Sequence, residues 1–271
     1  MARTAIFIGK HGMNATIVRR LLPGALCLGL WPLAAAGPAP QGNKGLPPIM
    51  HVDPLDEGRG SALHRGGNPH RRLSPEQHLR VAAQHLAAGR VPQALAALGQ
   101  ALSQYPDSAE LHGMRASIEL QRGDAGAALA DLEAAVRLDP DNALFRVMRA
   151  QAYLRFDRRK EALADLDTAV HIDPDLVPAR FNRGSLLANL GRERQALEDF
   201  DYLIRRDPKL PAPYFNRGAM YHALGQEDAA RADIQTFIRL SEAEDWKRAG
   251  RDLLKAWDRQ AREAGPKDGG R

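Results

Sequence analysis

The chain has 271 residues, 44% of them hydrophobic, with a formal charge of +5, enough apolar sequence for one or two buried cores. Residues 1–36 carry Arg3, Lys10, Arg19 and Arg20 and no acid, so the rest of the chain nearly balances, at 34 basic against 33 acidic residues. That balance argues against a basic nucleic-acid-binding face on the folded part, and an aromatic content of only 6% beside abundant Ala and Leu favours helices.

The N-terminus reads as a signal peptide over 1–36. Arg19-Arg20 precede an apolar run from Leu21 to Ala35, followed by Ala34-Ala35-Ala36-Gly37, a charged, then apolar, then small-residue order that export signals share. The run is short for a membrane span, which needs about 20 apolar residues. Cleavage after Ala36 through the general secretory route is expected, leaving no stable membrane insertion. Met13 is an alternative start. Cys27 is the only cysteine, and Leu26 before it disfavours lipidation, so the mature chain has no disulfide or thiol chemistry. Residues 37–73 hold seven Gly and six Pro, a composition that predicts a flexible linker. Its His51, His64 and His70 fit no metal-ligand spacing. Ser74-Pro75-Glu76-Gln77 is a helix start, with a capping Ser, Pro at the first helical position and Gln closing a capping box.

From here the sequence repeats. Pro106, Pro140, Pro174 and Pro208 are each 34 residues apart. With proline set as position 32, position 8 holds Ala82, Ala116, Ala150, Gly184 and Gly218. Position 20 holds Ala94, Ala128, Ala162, Ala196 and Ala230. Position 15 holds Gly89, Gly123, Asp157, Gly191 and Gly225, and position 24 holds Leu98, Leu132, Leu166, Phe200 and Ile234. Two helices, A and B, turning at position 15 account for this: Gly supplies a left-handed turn, small residues at 8 and 20 permit close approach, and position 24 fills the gap. Such hairpins bury their apolar faces only by stacking.

The pattern resembles the tetratricopeptide repeat family over 74–242, as five repeats: 75–108, 109–142, 143–176, 177–210 and 211–242. The resemblance implies an all-α, right-handed α-solenoid, with a concave groove lined by A helices that binds peptides or partner proteins without catalysis or cofactor. Trp246, Ala249, Leu253, Leu254 and Trp257 fall on one face of a helix over 243–263, a terminal cap packing on the last repeat. Residues 264–271 read as a disordered tail.

Arg115, Arg149, Arg183 and Arg217 occupy position 7, and Asp131, Asp165, Asp199 and Asp233 occupy position 23 of the same repeats. Helices folded back about position 15 juxtapose positions that sum to about 30. Four intra-repeat ion pairs are therefore expected, rather than an anion site. Positions 2, 5, 6, 9, 12 and 13 share the groove face. That face supplies Arg80, Met114 and Met148 from the first three repeats and Phe181, Asn182, Phe215 and Asn216 from the last two. Asn can hold the backbone of an extended peptide, and Met adapts to varied apolar side chains. Lys at position 5 and Asn at position 9, which the family's chaperone-tail clamp uses, are missing.

The expected function is an exported, periplasmic adaptor that holds a protein or peptide partner, with no enzyme motif, no metal site and no nucleic acid. Two other readings remain: a copper- or zinc-binding or enzyme-associated protein using the linker histidines, and a self-associating structural protein.

Overall fold

The computed structural model describes residues 73–263. The readings on the signal segment, on His51, His64 and His70, and on the tail lie outside them. Among the described residues there are eleven helices and no strand. The fold is all-α, a tandem of helix hairpins of the α-solenoid class. The described residues divide between two compact units, 73–174 and 175–263.

The first unit contains α1 (Pro75–Ala87), α2 (Val91–Gln104), α3 (Ala109–Arg122), α4 (Ala125–Leu138), α5 (Ala143–Arg155) and α6 (Arg159–Ile172). Each start has a local cause. Ser74 Oγ accepts from the Gln77 amide while Gln77 Oε1 accepts from the Ser74 amide. Ser108, Asp124 and Asn142 likewise accept backbone N–H groups in the first turns of α3, α4 and α5, satisfying donors that no helix can satisfy internally. The second unit contains α7 (Val177–Asn189), α8 (Glu193–Arg206), α9 (Pro211–Ala223), α10 (Glu227–Leu240) and α11 (Glu244–Glu263). Gly89, Gly123, Gly191 and Gly225 turn the A helices into the B helices at φ between 69° and 84°. In the third hairpin Asp157 does this instead, at φ 56°.

The hairpin cores follow a fitting rule between positions 8 and 24. The position-20 alanines and the residues at position 24 are all fully buried. Where position 24 is Leu98, Leu132 or Leu166, position 8 is Ala82, Ala116 or Ala150. Where it is Phe200 or Ile234, position 8 is Gly184 or Gly218. A Cβ on Gly184 would stand 3.1 Å from the Phe200 ring, and one on Gly218 would stand 3.1 Å from Ile234 Cδ1. The larger Phe filler therefore demands a smaller wall, as close packing requires; Ile234 has the volume of a Leu, and there the fit is set by where its Cδ1 and the neighbouring Ala230 carbonyl and Asp233 Cβ lie, each 3.1 Å from a Cβ on Gly218. The A helices of neighbouring repeats obey the same rule. Gly113 on α3 leaves the space that the fully buried Phe145 ring of α5 occupies.

Helix α11 caps α10. It buries Ala249, Leu253, Ala256 and Trp257, and Trp257 joins a cluster with Phe215, Ile234 and Phe237. The Trp257 ring stacks on His222 at 4.1 Å, and an Arg231–Asp258 ion pair of 2.7 Å adds a polar tie.

Candidate functional site

The position-23 aspartates are almost completely buried: Asp131, Asp165, Asp199 and Asp233 are 1–6% exposed. A buried carboxylate needs donors, and each is gripped by the Arg sixteen residues before it. Arg149 Nε and Nη2 donate to Asp165 at 2.8 and 2.7 Å. Arg183 donates to Asp199 at 2.8 and 2.7 Å, and Arg217 to Asp233 at 2.7 and 2.8 Å. Arg115 holds Asp131 in the same two-pronged way, the strong geometry of this pair. The hydrogen bonds to the aspartates raise the pKa of Arg115, Arg149 and Arg217 further, against the opposing effect of burial. These cations are fully engaged in tying A helix to B helix.

Two further features of this clasp had not been inferred. Position 4 joins it. His112 Nδ1 lies 2.8 Å from Asp131 Oδ1, Arg180 Nη1 donates to Asp199 at 3.1 Å, and Arg146 Nη1 stands 3.7 Å from Asp165. Position 4 also reaches back to the proline that ends the preceding repeat. His112 Nε2 is 3.0 Å from the Pro106 carbonyl, Arg146 donates to that of Pro140 at 2.8 Å, and Tyr214 Oη to that of Pro208 at 3.2 Å. A polar side chain six residues after each proline was the available signal. The second feature is that Arg217 Nη1 donates to Asp201 of the preceding repeat at 2.6 Å, so this arginine also binds one repeat to the next.

The proposed groove residues divide. Phe181 and Phe215 are 2% and 6% exposed. Phe181 packs edge-on against Phe200, and Phe215 lies tilted on Phe237. Their assignment as partner contacts is corrected: position 5 of these A helices leans over the B helix of the same repeat, and large rings there become core. Met148 is likewise core, 2% exposed in a cluster with Leu132 and Phe145. Asn182 is also buried, at 2%, so it presents no peptide-holding amide at the surface. Asn216 is half-buried and donates through Nδ2 to Ser185 Oγ at 3.0 Å, joining α9 to α7.

Three candidates keep some surface: Asn216 in the second unit, engaged with Ser185, and Arg80 and Met114 in the first. Arg80 is exposed and Met114 half-buried. Leu79 and Leu86 share the A-helix face with Met114 and are only partly buried, as are Leu120 and Leu144. At the Leu79 end, between the start of α1 and the start of α3, is a shallow cleft of about 520 Å³ lined by Leu79, Tyr105 and Pro106 together with Glu76, Asp107 and Glu110. Glu119, also on α3, has a buried Oε2 with no hydrogen-bond partner. Burial first and the Asp131 charge second push its carboxyl above the usual range. Among the described residues no group of His, Cys, Asp and Glu could hold a metal ion, and no helix is long and apolar enough to cross a membrane.

Paired helices with buried cross-ties and a partly open apolar face define a helix-hairpin repeat scaffold. A sequence profile of the tetratricopeptide repeat matches residues 83–143, 114–177, 147–211 and 181–245, more than half of the chain, and the chain belongs to that family. Among solved structures it is similar in fold to MamA from Desulfovibrio magneticus RS-1, at 16% identity and a TM-score of 0.56, covering 61% of this chain and 93% of that one. It is similar to YrrB, described as a TPR protein with an unusual peptide-binding site, at 22% identity and 0.54, covering 65% and 91%. It is also similar to a thermophilic TPR protein, TTC0263 of Thermus thermophilus, at 23% and 0.55, covering 67% and 100%. No curated protein matches the chain.

Proposed function

We propose that the protein is a non-catalytic, exported adaptor that holds a partner polypeptide against the A helices of its first unit. The observation that carries this reading is the partly exposed face of Leu79, Leu86, Met114, Leu120 and Leu144 beside the acid-rimmed cleft of α1 and α3. Such a face takes up apolar side chains in an extended or helical ligand, and its unbranched Met adapts to their shape. A peptide-binding site in a protein of like fold supports the reading. Export rests on residues 1–36 and places the adaptor in the periplasm.

Site-specific photo-crosslinking in cells tests the groove. A photoreactive residue at Met114 is expected to capture a defined polypeptide that the same residue at Ala130, exposed on helix α4, does not. Capture from Ala130 alone overturns the reading. Recovery of the protein from the periplasmic fraction with Gly37 at its N-terminus tests export. Retention in the cytosol with an intact N-terminus sinks it.

A further inference from the structure

The third hairpin turn differs from the other four. Asp157 holds the left-handed position at φ 56° where the others have glycine, and its carboxylate accepts from Arg159 at 2.6 Å. Immediately before it, Phe156 caps α5 and is 51% exposed, more than the other exposed large hydrophobics, Leu73, Leu190 and Leu224. Around it stand Arg155, Arg158, Arg159 and Lys160, against one acid, Asp157, in residues 155–160. Arg158 lies over the Tyr153 ring at 4.3 Å and pairs with Glu161. Arg155 and Lys160 are both exposed. The result is an exposed aromatic ring on a hairpin turn with exposed cations on either side of it in the chain.

An exposed ring on a turn between two helices can enter a deformable planar surface. An aromatic ring is favoured at the level of lipid headgroups, and long basic side chains reach back to phosphates while their stems stay in apolar surroundings. We propose that the Phe156 turn is a contact point for an anionic lipid surface, with Phe156 inserted among headgroups and Arg155 and Lys160 on their phosphates. This contact does not rely on the partner-binding face of the A helices.

The test uses the full chain with Cys27→Ser, carrying an environment-sensitive NBD label on Phe156→Cys or on Arg155→Cys. The second site reads the same tip without altering Phe156. Vesicles of phosphatidylcholine mixed with phosphatidylglycerol are expected to raise and blue-shift NBD emission at both positions. Vesicles of phosphatidylcholine alone are not. A label on Ala130→Cys is expected to stay unchanged, which separates tip insertion from attachment through another segment. Arg155→Gln and Lys160→Gln, read from the label on Phe156→Cys, should each raise the lipid needed for half the response about fivefold. No response at the tip, an equal response to neutral vesicles, or an equal response at Ala130 overturns the proposal. A response to polyglutamate without one to anionic vesicles also overturns it, in favour of an acidic polypeptide.

Discussion

The first two hairpins share one architecture and differ in what ties it together. In α1–α2 the positions of the clasp hold Val81 and Ala97, while in α3–α4 they hold Arg115 and Asp131. Both hairpins bury the same set of small residues and a Leu at position 24: Ala82, Ala94 and Leu98 in one, Ala116, Ala128 and Leu132 in the other. Close packing of small against large is therefore sufficient to form the hairpin. The ion pair adds specificity of alignment and a connection to the neighbouring repeat, through His112 and the Pro106 carbonyl. It does so at the risk of a costly orphaned charge if either partner is lost.

Moving residues of the first hairpin into the second tests that difference. The largest effect is expected from Gly113→Leu, which imports the Leu79 equivalent. The new side chain collides with the Phe145 ring, and overpacking should cost about 3 kcal/mol by thermal or denaturant unfolding. Adding Phe145→Leu, the equivalent of Leu111, should return much of the loss. If it does not, the collision is not the cause.

Asp131→Ala comes next. It leaves Arg115 without its acceptor and His112 with the Pro106 carbonyl alone, and a loss of about 2–3 kcal/mol is expected, below the range for a fully buried pair because Arg115 keeps 29% of its side-chain surface. The double change Arg115→Val and Asp131→Ala copies the first hairpin and should lie within about 1 kcal/mol of the parent. A double variant as unstable as the single one would show that the hairpins are not interchangeable at these positions.

Smaller still is Ser185→Ala in the second unit, which deprives Asn216 of its acceptor at a cost of about 1–2 kcal/mol. Joining it with Asn216→Met gives the apolar pairing found in the first two repeats, Ala83 with Met114, and should recover part of the cost. A single variant as stable as the parent would mean that this hydrogen bond is idle.

The smallest effect concerns Glu119. Its carboxyl is held above its ordinary value chiefly by burial, so the folded chain binds this proton more tightly than the unfolded chain. Glu119 therefore lowers stability as pH rises from the ordinary carboxylate range through the raised one. Glu119→Gln should melt higher than the parent at neutral pH, and the gain should vanish in acid. A gain that persists unchanged below the ordinary carboxylate range would refute the assignment.

Much of the fold was legible because it depends on periodic columns: prolines at 34-residue spacing, alanine at position 20, and a small residue at 8 matched to the filler at 24. The Arg and Asp columns signal the clasp for the same reason, since the hairpin geometry pairs positions that sum to about 30. The groove was legible only in part. Phe181 and Asn182 lie on the groove face by angle alone, but openness depends on the neighbours. Whether position 5 is surface or core depends on what stands opposite, such as Phe200 beneath Phe181. The position-4 contacts were obscured by chemistry, since His112, Arg146 and Tyr214 share an acceptor without sharing a residue type.

The bond from position 4 to the preceding proline has a consequence for how the array can change length. His112 stands six residues after Pro106, and Arg146 six after Pro140. Excising residues 109–142 would join Ser108 to Ala143 and bring Arg146 onto the carbonyl of Pro106 with the same spacing. The boundaries after Pro106 and Pro140 are thus interchangeable couplings, accepting whichever repeat follows. Whole-repeat gain or loss is then the evolutionary step this architecture tolerates best, and a shift of a few residues the one it tolerates least.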